Sequence, residues 1–552
     1  MKKLLVSVIL IMLAAPVFCV NVTIDVTAER APISKHIYGA NIAGDPEDPT
    51  QYQLADSVNW ASRRQGGNRF TAYNWEINAS NAGADYGPNS SDPYLCQAYG
   101  VTNCDIPGEV LNRFHTQCLA RGQSDLVTVQ MAGFAAADKI WNNGDPGTAI
   151  ADLTTDRWKT VISKKPSGSF LLTPDTTDEY VYMDEYVNWM VNKFGGASSV
   201  NGVKMISLDN EPTLWATTHP RVHPTPVTFA ELKDESIALA KAIKDVDPNV
   251  EIFGAADFGW SAFVNLNSAV DANTEGAAYT GVLKFTEYYL DKFEAASAAY
   301  GRRLLDVIDV HWYPEDNGNL CRIVYTDYDN DCPNKTDYSI NADARMQAPR
   351  CLWDSTYNED SWIPSPINLI GKLQTAVNTY YPGTKISISE YDFGGGTHYS
   401  AGIAQADALG VFGKYGVYAA YYWDITPGPY TLAGVKLYRN YDGAKSTYGD
   451  TKVKANTDDV ASMPVYASQF SGDDSKLHII VINRSGSAKP ANISINGPYM
   501  FDSGSVWGFD STSYTLTARA AVATITGNAF TYNVPAYTAL HMVLDSSMIT
   551  PT

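Results

Sequence analysis

Eight short, mostly apolar segments recur along the chain, and helix-like or loop stretches separate each one from the next. Such segments are typical of buried strands, and strands that alternate with helices predict a parallel sheet. Eight of them are enough to close a barrel. We therefore predict the α/β class and a (β/α)8 TIM-like barrel. The strand segments are 37–42, 60–65, 126–131, 205–208, 250–255, 305–312, 385–391 and 417–423.

The pattern changes after about residue 448, where short strand candidates follow one another without helices. Gly and Asn turns separate them, which predicts an antiparallel β-sandwich. The alternating run at 22–26 has no helix after it, so we assign it to the same sandwich. The predicted organisation is a signal peptide at 1–20, the N-terminal sandwich strand within 21–33, the barrel over 34–448 and the sandwich domain over 449–552.

Two of the predicted barrel strands end on a glutamate. Pro212 cannot donate to a sheet ladder, so the strand before it stops and leaves Glu211 at its carboxyl end. Glu390 ends another strand in the same way. Chemistry in such barrels takes place at this end, and glycoside hydrolysis requires one neutral and one ionised carboxyl group. We predict Glu211 and Glu390 as a catalytic pair; their separation, which decides between retention and inversion, is not encoded locally.

Polar and aromatic residues lie at the same ends of the predicted strands. An arginine can bond a carboxylate and keep it charged, an amide can bond a sugar hydroxyl, and an aromatic face can stack on a sugar ring. His311 or Tyr313 could hydrogen-bond the nucleophile. A packed aromatic cluster or a structural ion pair is the alternative explanation. The predicted substrate-binding residues here are Arg64, Asn68, Asn210, His311, Trp312, Tyr313 and Trp423.

The charge and the first residues of the chain indicate where it works. The formal net charge is −20, which argues against nucleic acid or an anionic membrane as partner and is compatible with a neutral polymer. Lys2 and Lys3 precede an apolar run at 4–20, which predicts a secretory signal peptide. We expect a secreted protein, free of the membrane once the signal is cleaved, and a monomer.

Six cysteines follow the predicted signal peptide, in two groups of three. An even number in an exported protein suggests up to three disulfides, and free buried thiols are the alternative. Each group lies in a long insertion, at 71–125 or at 314–366, that leaves the carboxyl end of a strand. Both insertions are therefore expected to build walls of the cleft, stiffened by any bridges that form.

Three alternating acids are the one metal-like pattern in the sequence. Asp327, Asp329 and Asp331 resemble part of a calcium loop, but the glycine and the terminal glutamate of that pattern are missing. A solvated acidic loop is the alternative. We expect no required cofactor; a structural calcium ion is an open alternative, and metal content is otherwise unknown.

Several motifs, in order along the chain, resemble glycoside hydrolase family 44. They are RRQGGNRFTAYNWEINASNAG at 63–83, LDNEP at 208–212, His223-Pro224 with the helix after it, SEY at 389–391 and RNYDG at 439–443. The resemblance implies a barrel with a small β-sandwich and retaining endo-hydrolysis of β-1,4-glucans, including cellulose-like polymers and xyloglucan. By position, Glu211 matches the acid/base and Glu390 the nucleophile. Trp75 and Tyr391 lie within these motifs and are assigned to substrate binding.

Other functions remain open at this point. An endo-xylanase or a mannanase could use the same scaffold, and the insertion at 314–366, which we do not place on the family pattern, leaves the preferred polymer open. A non-catalytic glycan-binding surface protein would bind without turnover, but binding alone does not require a carboxylate pair. A structural surface protein would show neither property.

Overall fold

A computed structural model describes the chain at residues 19–41, 57–84, 91–140, 157–318, 321–324, 337–423 and 427–547. The apolar start of the chain and the acidic run at 327–331 lie outside these residues. The signal peptide and the calcium loop therefore stay predictions. Among the described helices, none combines the length and the apolar character needed to cross a membrane.

Eight parallel strands form a closed barrel, as the sequence predicted. Each strand pairs with the next along the chain, and the eighth pairs with the first through Tyr421 and Gly39. Gly39 suits this closure because a Cβ there would lie 2.6 Å from the carbonyl oxygen of Ala420. Barrel strands 1 to 8 are Gly39–Ala40, Ser62–Gln65, Ser124–Val129, Met205–Leu208, Glu251–Asp257, Val307–Trp312, Lys385–Tyr391 and Ala419–Tyr422.

Helices cover the outside of the barrel. Their apolar faces pack on the strands, and together they form the largest buried cluster of the protein. The α-helices that lie wholly within the described residues are Asn68–Thr71, Tyr94–Ala98, Glu109–Ala120, Met183–Phe194, Trp215–Thr218, Phe229–Val246, Trp260–Asn265, Lys284–Tyr300, Ala342–Gln347, Leu369–Tyr380, Tyr399–Tyr415 and Pro429–Arg439. Short 3-10 helices span Lys35–Ile37, Pro212–Leu214, Glu275–Ala278 and Ala348–Leu352.

The N-terminal strand and the C-terminal segment form one curled ten-stranded sheet. Val20–Asp25 runs antiparallel to Thr451–Thr457 and parallel to Lys489–Asn496, so the first strand does join the C-terminal domain. The sheet folds around its own apolar core, which agrees with the predicted sandwich. Its remaining strands are Ala31–Pro32, Val465–Phe470, Asp473–Asn483, Met500–Asp510, Ser513–Ala518, Ala529–Val534 and Thr538–Ser547.

The helix Tyr399–Tyr415 joins the two parts. It is buried at nearly every position because one side packs on the barrel and the other on the C-terminal sheet. Tyr466 lies against Gly410, where a Cβ would be only 2.2 Å from its ring. The Tyr466 hydroxyl donates to Asp407 Oδ1 at 2.7 Å, and Arg484 pairs with the other oxygen of the same carboxylate. This buried, hydrogen-bonded ion pair fixes the sheet against the barrel.

The cysteines pair only in part. Cys96 and Cys104 form a disulfide within the first insertion, and Cys321 is also disulfide-bonded. Cys118 and Cys351 are free and buried, so the six cysteines do not form three bridges, and the alternative of buried thiols holds for these two. Burial raises the pKa of the Cys118 thiol to about 12, which keeps it protonated and unreactive.

Removing the Cys96–Cys104 bridge is expected to destabilise the barrel. The disulfide closes a loop with a sequence separation of 8. Closing a loop of that length lowers the entropy of the unfolded chain and so stabilises the folded protein by about 2–3 kcal/mol. Replacing both cysteines with serine should lower the free energy of unfolding by that amount in urea titrations. Thr102→Ser, at an exposed residue within the same loop, is the matched control. Equal stability of all three proteins would contradict the prediction.

A small sheet that the sequence analysis did not predict follows barrel strand 3. Its strands are Phe134–Ala136, Trp158–Ile162 and Tyr180–Tyr182. Since it leaves the carboxyl end of a barrel strand, it adds to the wall on the same side as the two glutamates.

Candidate active site

Glu211 is held on a tight turn directly after barrel strand 4. The strand ends at Leu208 and Pro212 starts a 3-10 turn, as Pro212 predicted. Asp209 and Glu211 both have positive φ, 59° and 43°, a conformation that costs a non-glycine residue free energy and is maintained by surrounding contacts. One such contact is the Glu211 N–H, which donates to the carbonyl oxygen of Ala256 at 3.0 Å.

Asp209 anchors this turn from inside the protein. Its carboxylate accepts from the N–H of Met131 at 2.6 Å, the N–H of Ala132 at 3.1 Å and the hydroxyl of Thr71 at 2.7 Å. It also accepts from the N–H of Asn210 at 2.7 Å. Burial raises the pKa of Asp209 to about 6, although these donors oppose the rise. Asp209, two residues before Glu211, therefore fastens the turn to the segments that follow barrel strands 2 and 3.

Glu390 lies near the end of barrel strand 7 and is buried, with an exposed fraction of 4%. Arg64 Nη1 donates to its Oε1 at 2.7 Å, and the Tyr313 hydroxyl donates to its Oε2 at 2.9 Å. Burial raises the pKa of the Glu390 carboxyl, while the Arg64 guanidinium acts in the opposite direction. Burial also raises the pKa of Tyr313, so its hydroxyl stays protonated and donates.

His311 connects the two glutamates. Its Nδ1 lies 2.8 Å from Glu211 Oε1 and 3.4 Å from Glu390 Oε2. Burial lowers the pKa of His311 to about 4, so the ring is neutral near pH 7 and its Nδ1–H donates to the carboxylates. One oxygen of each glutamate and a ring nitrogen of His311 all lie within 4.8 Å of one another. The two carboxyl groups therefore do face each other across the barrel mouth.

The same three side chains carry ligand atoms of the kind that bind metals. Arg64, however, already donates to the Glu390 carboxylate at 2.7 Å. A divalent cation in this cluster would lie beside the guanidinium charge, so electrostatic repulsion opposes metal binding here. The arrangement instead fits two carboxyl groups held for acid–base and nucleophilic chemistry.

Comparison with known proteins agrees with this geometry. The sequence profile described as "Glycoside hydrolase family 44" matches residues 79–316. "Endoglucanase A" of Paenibacillus lautus is 46% identical over 540 residues, which cover 96% of this chain and 73% of that protein. The chain belongs to glycoside hydrolase family 44.

Two other similar proteins extend the comparison. The solved structure of a Paenibacillus polymyxa family 44 xyloglucanase with xyloglucan is 42% identical, has a TM-score of 0.86, and the match covers 96% of this chain and 100% of that one. "Beta-mannanase/endoglucanase A" of Caldicellulosiruptor saccharolyticus is 42% identical over 535 residues, 94% of this chain but 38% of that longer protein. This family 44 chain is thus a glycoside hydrolase, with the barrel and C-terminal sheet of its relatives.

Two predicted amide residues of this family 44 protein lie beside the glutamates. Asn210 Oδ1 accepts from Arg64 Nη2 at 2.8 Å, and Asn210 Nδ2 donates to Asn68 Oδ1 at 3.0 Å. Arg64 and the two amides therefore form one hydrogen-bonded row from Glu390 toward the Glu211 turn. Their position agrees with the sequence analysis, and their role in substrate binding stays a prediction.

Trp423 remains a candidate sugar platform. It is half-buried at the end of barrel strand 8, and its backbone N–H donates to the carbonyl oxygen of Tyr391 at 3.0 Å. Its indole packs on Gly67, where a Cβ would lie 2.7 Å from the ring. Gly67 also has φ +90°, so a glycine is favoured there both by backbone conformation and by the close indole.

Three predicted substrate-binding residues do not reach the cleft. Trp75, Trp312 and Tyr391 are each 1% exposed, so none offers a face to a sugar. Trp312 and Tyr391 directly follow His311 and Glu390, and successive residues of a strand point to opposite sides. The Trp312 indole N–H donates to Cys351 Sγ at 3.2 Å, and the Tyr391 hydroxyl accepts from the Gln405 side chain at 2.8 Å. These contacts and the stacking of Trp75 on Tyr186 at 5.1 Å correct that prediction.

The sequence analysis missed three polar residues of the site. They are Asp209, Asn41 and Asp257. The Asn41 side chain accepts from Arg64 at 3.1 Å and donates to the Ser389 carbonyl oxygen at 2.8 Å. Asp257 is buried, accepts from the N–H and hydroxyl of Thr213, and has its pKa raised to about 7 by burial. Each lies at or just after the end of a predicted strand, and that position was the available signal.

Proposed function

We propose that this protein is a secreted, endo-acting, retaining β-1,4-glucanase that hydrolyses cellulose-like glucans, xyloglucan or both. The observation that carries the proposal is the approach of the Glu211 and Glu390 oxygens to within 4.8 Å. Retaining enzymes hold their carboxyl groups about 5–5.5 Å apart, whereas inverting enzymes leave roughly 6.5–9.5 Å for a water molecule. The names of the Paenibacillus relatives support the substrate class.

The proposed reaction has two steps. In the first, Glu390 attacks the anomeric carbon, the glycosidic C–O bond breaks, and Glu211 gives its proton to the leaving oxygen. In the second, a water molecule attacks the same carbon, Glu211 takes its proton, and the ester bond to Glu390 breaks. Two inversions at one carbon give net retention.

The neighbouring side chains fit these roles. Arg64 and Tyr313 donate to Glu390, which favours the ionised carboxylate needed for attack. His311 is a positioning residue for Glu211, because its Nδ1–H holds Oε1 at 2.8 Å and leaves the other oxygen for the leaving group.

Product analysis tests the proposal directly. Incubation with xyloglucan and with carboxymethylcellulose should release oligosaccharides of mixed length, and NMR should show the β-anomer as the first product. The α-anomer as first product would contradict retention. Binding to both polymers without products would favour the non-catalytic alternative.

A mannanase activity is the second candidate, because one relative carries "Beta-mannanase/endoglucanase A" as its name. Reducing-sugar release from a panel of mannan, xylan, xyloglucan and carboxymethylcellulose separates these activities. We expect the glucans to be preferred; a higher kcat/KM on mannan or on xylan would reassign the substrate.

Removing the Arg64 charge should shift the pH dependence of catalysis. The guanidinium acts to lower the pKa of Glu390 against the larger effect of burial, so Arg64→Gln is expected to raise that pKa further. Because Glu390 must be ionised to attack, the acid limb of kcat/KM should move to higher pH. Arg63→Gln is the matched control, since the Arg63 side chain contacts Phe114 and Gln117 outside the barrel. An unshifted acid limb would show that Arg64 does not tune the nucleophile.

A further inference from the structure

A groove outside the catalytic cleft runs between the last barrel helix and the C-terminal sheet. Its cavity volume is about 590 Å³, within the range of small-ligand sites. Pro429, Ala433, Lys436 and Asn440 line one wall at spacings of four, three and four residues, which is one face of the helix. That face extends roughly 16 Å. Neither Glu211 nor Glu390, which lie at the barrel mouth, lines this groove, so it is a separate feature.

The opposite wall is aromatic. Trp507 lies 5.0 Å from Tyr441 between ring centroids, and Tyr514 follows on the next strand. Tyr514 is 51% exposed although it packs edge-on against Tyr430 at 5.7 Å. Flat rings held in place by neighbouring rings, with surface still open to solvent, can stack on a ligand without much loss of side-chain entropy.

The groove also holds unused hydrogen-bonding groups. Within the described part of the chain, no hydrogen bond or ion pair engages the Lys436 ammonium, the Trp507 indole N–H or the Tyr514 hydroxyl. Burial lowers the pKa of Lys436, so its ammonium is partly desolvated without a compensating partner. A ligand that accepts hydrogen bonds would supply that partner.

These features select a neutral, polyhydroxylated ligand. Among the described residues that line the groove, Lys436 is the one base and Asp442 the one acid, so their charges balance and neither a polyanion nor a polycation is favoured. Aromatic faces combined with free donors match the alternating C–H and O–H surfaces of sugar rings. We propose that this groove is a second binding site for a β-1,4-glucan chain, which retains the polymer near the cleft. The identity of the glucan rests on the proposed function.

Affinity electrophoresis tests the groove with the catalytic step removed. In the Glu390→Ala background, migration is measured in gels that contain xyloglucan or hydroxyethylcellulose. Adding Tyr514→Ala and Trp507→Ala should weaken retention by the polymer roughly three- to tenfold. Tyr532→Ala, at a half-buried tyrosine outside the groove, is the matched control and should migrate as the background does.

Kinetics in the active protein give the second readout. With Glu390 intact, the two groove substitutions should lower kcat/KM on long polymers and leave kcat/KM on a short aryl cello-oligosaccharide unchanged. If the short substrate is also affected, Trp507→Ala has disturbed the fold, and the exposed Tyr514→Ala variant alone decides. The inference is overturned if the groove variants are retained in the xyloglucan and hydroxyethylcellulose gels as strongly as the background is. A gel that contains polygalacturonate, a polyanion, is run beside them, and weakened retention in that gel alone also overturns the inference. Turnover of glucan by the unmodified protein tests the proposed function separately, so the two failures are distinguishable.

Discussion

Glu390→Ala is expected to reduce kcat on a soluble β-glucan by at least about 10³-fold, because no other group can form the glycosyl–enzyme ester. The variant should fold normally, since removing a buried carboxyl relieves the desolvation that raises its pKa. Tyr313 loses its acceptor, while Arg64 keeps its hydrogen bonds to Asn41 and Asn210. A small anion can occupy the space left by the side chain and accept from both. The measurement is the initial rate on carboxymethylcellulose beside that of the unmodified protein.

Added azide separates a nucleophile from a merely structural carboxylate. In Glu390→Ala the azide nitrogen should attack the anomeric carbon of an activated aryl β-glycoside while the bond to the leaving oxygen breaks. Because only one inversion occurs, the product is an α-glycosyl azide, identified by NMR. Glu251→Gln, at the opposite end of the barrel where Glu251 pairs with Lys385, should keep its activity. Near-normal activity of Glu390→Ala would remove Glu390 from the mechanism, and a β-azide product would reverse the assignment of the two glutamates.

Glu211→Gln should show a different profile, because its loss depends on the leaving group. General acid catalysis contributes about 10²–10⁴-fold, so activity on polymers, whose leaving oxygen needs a proton, should fall by that factor. A dinitrophenyl glycoside releases dinitrophenolate, which leaves without a proton. Its glycosidic bond should therefore still break at a rate near normal. The glutamine keeps the shape of the side chain and its contact with His311, which limits the change to the missing proton.

The intermediate in Glu211→Gln should accumulate, since no base activates water for its release. A burst of dinitrophenol followed by a slow steady state is the expected time course. Azide should speed the slow phase and give a β-glycosyl azide, the product of two inversions. An equal loss on polymer and on dinitrophenyl glycoside, with no burst, would remove Glu211 from the acid/base role.

The burial of predicted site aromatics shows where local patterns mislead. Trp312 and Tyr391 sit next to His311 and Glu390 in sequence, yet strand alternation turns each pair to opposite faces. Proximity in sequence to a functional residue is therefore weak evidence for contact with substrate. The cysteine count was similarly incomplete, because an even number permits three bridges but does not place Cys118 near a partner.

The sequence by itself determined the features that depend on neighbouring residues. The apolar strand segments, the chain stop at Pro212 and the glutamates at two strand ends follow from period, backbone chemistry and turn residues, which act over a few positions. Only the tertiary structure decided that Glu211 and Glu390 meet within 4.8 Å, that His311 lies between them, and that Asp209 and Asn41 hold them in place. Those facts depend on the closure and stagger of eight strands, a property of the whole barrel that no short segment encodes.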